Sequence, residues 1–147
     1  MEVKRKIERG KCYIFDIFRK KWVADTPEES VRQWFCHYLM ENKGYPQLSI
    51  SIETGLELNG ASRRCDTIVY KGVTPMVLIE FKSPDVTIDS SVMNQAISYN
   101  TKLKAPYIIL TNSKTTYCVK FDFNTGTHQF LQEVPDFTTL LLTRLSP

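Results

Sequence analysis

Four cysteines, Cys12, Cys36, Cys65 and Cys118, are scattered through the chain with no Cys-x-x-Cys pair among them, which excludes a thiol-built zinc site and a dithiol redox motif. Isolated reduced thiols are what a cytosolic protein carries. Long apolar runs are missing too: stretches such as Met76–Ile79 and Leu140–Leu142 stop far short of the roughly 20 residues of a membrane helix. The N-terminus is charged and has no apolar stretch of the signal-peptide kind, so the expected location is cytoplasmic, with no membrane partner. There is no internal repeat and no Gly/Ser linker; the six glycines and seven prolines stand singly, as punctuation between elements. A G-x-x-x-x-G-K-[ST] phosphate loop is absent, and 147 residues leave no room for an ATP-driven motor beside a catalytic domain.

What is present describes one folded unit. Hydrophobic residues at 42% and charged residues at 24% supply a core and a solvated surface, so residues 1–147 are read as a single domain. Its expected parts are a basic extension over 1–25, a core over about 26–123 and a tail over 124–147. The net charge of +3 is too small to argue for nucleic acid unaided. Its distribution says more: residues 1–22 hold eight basic groups against three acidic ones, and the remainder is slightly acidic. Lys20 and Lys21 lie in that basic segment and are candidates for contact with phosphates.

Periodicity predicts the elements. Val31, Trp34, Phe35, Tyr38 and Leu39 repeat at helical spacing within 26–42; Thr26 suits the N-cap, Pro27 the first turn, Glu29 a capping box and Gly44 the exit. Short strands are expected at 12–18 and 22–24, then at 48–52, 64–70 and 76–81, with an antiparallel turn at Lys71-Gly72. Met76–Ile79 is apolar on both faces, as in a central strand. A second helix over 90–103, strands at 107–111 and 116–123, and a closing helix over 136–145 complete the order. This is an α/β fold with a mixed sheet flanked by helices.

Within that frame Glu80 and Lys82 stand two apart at the end of a buried strand, so both project to one face. Charges beside a core are costly unless paired or coordinated. The antiparallel turn would carry Asp66 toward Glu80, giving two carboxylates and a lysine at a sheet edge. Magnesium takes hard oxygen ligands, so Asp66 and Glu80, with the Phe81 carbonyl, suit it, while Lys82 suits the attacking water and the transition-state charge. Taken singly, Glu80 and Lys82 also fit a surface ion pair and Asp66 a turn. Glu28 lies on the helix side of Phe35 and Leu39 and is a further candidate ligand, although a first-turn acid equally complements the helix dipole. Gln95 and Tyr99 are one turn apart on the second helix, and Arg63 and Arg64 are candidate phosphate contacts.

Asp66, the run Glu80-Phe81-Lys82, and Gln95 with Tyr99 resemble the PD-(D/E)xK superfamily of the restriction-endonuclease-like fold, with the Gln-x-x-x-Tyr of RecB-like nucleases. Thr26–Gln33, Gly44-Tyr45-Pro46, Arg64-Cys65-Asp66, Ile79–Pro84, Gln95–Asn100 and Ala105–Asn112 look more closely like the N-terminal nuclease domain of type I restriction enzyme R subunits, in a short stand-alone form. The resemblance spans about residues 12–123, and Cys65 stands where the motif name has proline. It implies a core of order α-β-β-β-α-β-β and an endonuclease or nuclease acting on DNA. It implies Mg2+, which Mn2+ could replace, on Asp66, Glu80 and Glu28, with Lys82 catalytic and Gln95 and Tyr99 accessory. It also implies a separate motor or specificity subunit as partner. The alternative is a non-catalytic nucleic-acid-binding or protein-interaction module, with the apolar Phe137–Leu142 tail docking on a partner or on a second copy in a homodimer.

Overall fold

The computed structural model describes residues 3–56 and 64–143, the backbone alone at 54–56 and 64–66. Strands β1 (Arg5–Glu8), β2 (Lys11–Asp16) and β3 (Lys21–Ala24) form a small antiparallel sheet ahead of helix α1 (Pro27–Lys43). Six further strands form the main sheet in sequence order: β4 (Ile50–Leu56), β5 (Arg64–Lys71), β6 (Thr74–Phe81), β7 (Tyr107–Thr111), β8 (Thr116–Asp122) and β9 (Thr127–Leu131). Helix α2 (Ser90–Leu103) joins β6 to β7, which therefore pair in parallel, and every other pair in the sheet is antiparallel. Helix α3 (Phe137–Leu142) closes the described chain.

The sequence explains the helices locally. Thr26 Oγ1 accepts the Glu29 N–H at 3.1 Å, Pro27 opens α1, and Gly44 ends it in a left-handed conformation whose N–H donates to the Leu39 carbonyl. Asp89 caps α2 by accepting from Val92 N at 3.0 Å. β6 and β7 are buried on both faces because each layer covers one of them. Phe35 and Leu39 of α1 pack on Val77, Ile79 and Ile109, whereas Ala96 and Tyr99 of α2 pack on Ile68, Leu78 and Leu110.

Four expectations differ from this architecture. The predicted strand at 48–52 begins with a 3-10 turn over Gln47–Ser49, because Ser49 donates both its N–H and its hydroxyl to the Pro46 carbonyl; extended backbone starts at Ile50. The span 124–147, expected as a tail, supplies β9 and so widens the sheet to six strands. Thr127-His128-Gln129 carries no apolar alternation, and the strand is held by its register on β8. β1, inside the basic extension, is the third strand of the small sheet. The Phe137–Leu142 tail is partly committed within the chain: Leu140 is buried in the α1-side core and Phe137 packs on Tyr45, leaving Leu141 and Leu142 exposed, Leu142 at 83%. Among the described residues no helix is long and apolar enough to cross a membrane.

Candidate active site

Glu80 and Lys82 lie where β6 leaves the core. The ladder to β7 runs one step past the strand end, with Lys82 N donating to the Thr111 carbonyl at 3.0 Å, so both residues keep their strand alternation. Glu80 shares the face of Leu78, two residues earlier, which is the face covered by α2. Its carboxylate is almost withdrawn from solvent, and Lys82 Nζ sits 3.4 Å from Oε1 with a side chain still 29% exposed. A buried carboxylate paired with a cation that remains open to solvent can offer both charges to a ligand arriving at the sheet edge.

The register brings the Asp66 position beside this pair. The β5–β6 register ends with Thr67 paired with Ile79, so Asp66 and Glu80 both follow that last pair at the same end of the sheet, and on the other side Asp66 pairs with Glu53 of β4. Directly opposed residues of an antiparallel pair share a face, so three acidic positions on adjacent strands form one row. The side chains of Asp66 and Arg64 and the whole of Arg63 lie outside the described residues. Glu53 is a residue that sequence reading missed, although Ser51 and Glu53 alternate with Ile50 and Ile52 as the polar face of a strand. Its carboxylate accepts the Tyr70 hydroxyl proton. Burial first, then that hydrogen bond and the Glu53 charge, push the Tyr70 hydroxyl up to about 12.

α2 covers the same face. Tyr99 is buried in its core and Gln95, one turn nearer the helix start, is exposed. The loop between β6 and α2 is tied to the sheet by Asn112, whose amide donates to the Val86 carbonyl at 2.7 Å while its oxygen accepts from Lys114 N and Thr115 N at 2.9 and 2.8 Å. Asn112 thereby fixes the backbone that follows Lys82.

Other sequence candidates lie apart from this face. α1 packs on the opposite side of β6, where Phe35 meets Phe81 at 6.0 Å between ring centroids, and Glu28 is exposed at its first turn. Lys20 and Lys21 are exposed on the small N-terminal sheet. Glu29, expected to complete a capping box, turns its carboxylate instead to Arg19 at 2.7 Å and to Arg32. Arg19 and Arg32 also bind the fully buried Asp16, which accepts the Phe18 N–H as well. Burial alone would raise the Asp16 pKa; the Arg19 hydrogen bond, the Arg32 charge and the Phe18 amide outweigh it and hold the group below its ordinary value. Arg19 is therefore structural, and the basic extension offers one cation fewer to phosphates.

Among the described side chains no group of three His, Cys, Asp or Glu residues gathers closely enough to hold a metal ion. The donors that the register aligns, carboxylates at Glu80 and at the Asp66 position, are of the hard oxygen type that magnesium takes.

A six-stranded mixed sheet between α1 and α2, with an acid and a lysine at the end of its central strand, defines a restriction-endonuclease-like α/β domain. The chain belongs to the family described as the type I restriction enzyme R protein N terminus, whose model matches residues 27–135. The fold is similar to a solved fragment assigned as the HsdR subunit of a type I restriction enzyme from Vibrio vulnificus YJ016, with a TM-score of 0.54 at 18% identity over 79% of this chain. The match spans 24% of that subunit's chain. No curated protein matches.

Proposed function

We propose that this chain is the nuclease module of a restriction system, a Mg2+-dependent endonuclease or nuclease that hydrolyses phosphodiester bonds in DNA. The observation that carries the reading is the buried Glu80 paired with the half-open Lys82, one register step from the Asp66 position. Asp66 and Glu80 would hold the metal, and a bound Mg2+ or Mn2+ would supply charge neutralisation at the phosphate and acidify water. Glu80 holds Lys82 over the sheet edge, where its ammonium orients the attacking water and offsets the charge that grows on the phosphate oxygens. Water adds to phosphorus, one ester P–O bond breaks, and the departing oxygen takes a proton. Gln95 lines the α2 side of the path, with Tyr99 anchoring that turn in the core. The resemblance makes Glu28 a third metal ligand, a role that its exposed place on α1 across the sheet does not support, and Arg63, Arg64, Lys20 and Lys21 serve as phosphate contacts along the DNA. The partners are DNA and the motor or specificity subunits that a module of this span would join.

Plasmid nicking with Mg2+ or Mn2+ tests the reading. Wild type is expected to nick, and Asp66→Ala and Lys82→Ala to lose at least about 100-fold in rate; equal rates in all three contradict it. Salt-dependent DNA binding with no metal-dependent cleavage would instead favour a binding module on the same fold.

A further inference from the structure

Beyond the edge of α2, the same sheet face that bears Glu80 and Lys82 is paved with rings. α2 packs over β6 and β7, and the cluster it forms reaches Phe121 on β8, while Tyr117 of β8 and Phe130 of β9 remain exposed. Tyr117 meets Phe130 at 6.2 Å between centroids, Phe130 meets His128 at 6.1 Å, His128 meets Phe121 at 5.7 Å, and Phe121 stacks on Phe123 at 5.8 Å. Phe130 is 57% exposed and Tyr117 37%, unusual for large rings unless something covers them.

The register fixes where this strip begins. Glu80 pairs with Leu110, and Leu110 pairs with Tyr117, so Tyr117 lies two strands from Glu80 in the same row, roughly 10 Å away. The strip is therefore continuous with the acid–lysine site. Its charge is also one-sided. Alternation places Asp122 on the opposite face, and its carboxylate caps its own turn by accepting from Asn124 N at 3.0 Å and Thr125 N at 3.4 Å. Lys82 and the exposed Lys114 stand at the end of the strip nearest the site.

We infer that the β8–β9 face is a stacking platform for single-stranded nucleic acid, which leads an unpaired strand along the sheet to Glu80 and Lys82. Unpaired bases offer π-faces to exposed rings, whereas paired bases keep theirs inside the duplex; the β8–β9 stretch of this face carries rings and no carboxylate of its own, and the lysines at its end nearest the site accept the phosphates that accompany those bases. The inference rests on the nuclease reading for what happens at the end of the path, and on the rings alone for binding.

The test is fluorescence anisotropy of the full chain in EDTA with labelled oligothymidylate of about 15 nucleotides and a blunt duplex of the same length. Wild type is expected to prefer the single strand, Phe130→Ala and Tyr117→Ala each to weaken binding by about tenfold, and Phe130→Trp to restore it. Circular dichroism checks that the variants fold, which the exposure of both rings favours. Equal affinity of wild type and both alanine variants overturns the platform. So does self-association of the chain that these substitutions disperse, since the strip would then be an interface between copies. Because binding is read without metal, ring-dependent binding by a chain that never nicks plasmid DNA defeats the nuclease reading alone, and ring-independent binding by a chain that nicks defeats the platform alone.

Discussion

Asp16 and Glu80 are both carboxylates taken out of water beside cations, and their surroundings differ in kind. Asp16 is saturated: Arg19, Arg32 and the Phe18 amide all donate to it, and Glu29 closes the network from α1. Glu80 faces a lysine at 3.4 Å whose side chain remains open to solvent, at a sheet edge where the register brings a second acid to the same end. Charge networks of this density rigidify what they join, and here the join is between the small N-terminal sheet and α1. A carboxylate whose cation partner is half exposed is instead available for exchange with a ligand. The two regions thus show how one electrostatic problem separates a clasp from a site.

Breaking the clasp should produce the largest effect. Asp16→Ala removes the buried carboxylate that Arg19, Arg32 and the Phe18 amide share, leaving Glu29 as the acidic partner of both arginines, and is expected to cost about 3–5 kcal/mol in urea unfolding. A loss below ~1 kcal/mol would show that the network is an ordinary surface cluster. The same substitution should leave the intrinsic cleavage rate of the folded protein within a few-fold of wild type, in contrast to Lys82→Ala.

A pH series sharpens the contrast. The Asp16 pKa is lowered in the folded state, so its contribution is fully present above the unfolded value near 3.8 and is lost as pH falls through the lower folded value. Wild type should therefore lose stability on acidification below about pH 4 more steeply than Asp16→Asn, by up to ~1.4 kcal/mol per pH unit for one extra proton. Parallel curves for the two proteins would remove Asp16 from the acid response.

Smaller effects are expected on the open side of the comparison. Asn112→Ala removes the tie to the Val86 carbonyl and two turn bonds, and should cost about 1–3 kcal/mol while lowering the cleavage rate several-fold by loosening the backbone after Lys82. Glu28→Gln, across the sheet, should change the rate by less than about tenfold, well under the effect at Lys82. A Glu28 loss as large as that at Lys82 would place α1 in the chemistry.

Much of the frame is legible in the sequence because its signals are local. Thr26, Pro27 and Gly44 mark α1, the apolar spacing of Val92, Ala96, Tyr99 and Leu103 marks α2, and Met76–Ile79 reads as a central strand. Lys71-Gly72 likewise places the turn between β5 and β6, where Gly72 adopts a positive φ of 63°. What is not legible depends on pairing at a distance. The Asp16–Arg32 contact joins a strand to a helix sixteen residues away, and Glu29 reads as a cap until Arg19 is folded against it. A helical wheel sets Glu28 at the angle of Phe35 and Leu39, but at the first turn Glu28 is exposed while those two are buried, and the wheel carries no information about which face of the sheet the helix covers. β9 and Glu53 acquire their places from the register alone.

The central claim is that the end of β6, and not the saturated network, receives the metal. An anomalous-difference map from a crystal soaked in Mn2+ tests it most directly. The account predicts a peak between the carboxylates of Asp66 and Glu80 that Glu80→Gln abolishes; a map with no peak there, or with Mn2+ seated at Asp16 and Glu29, would contradict it.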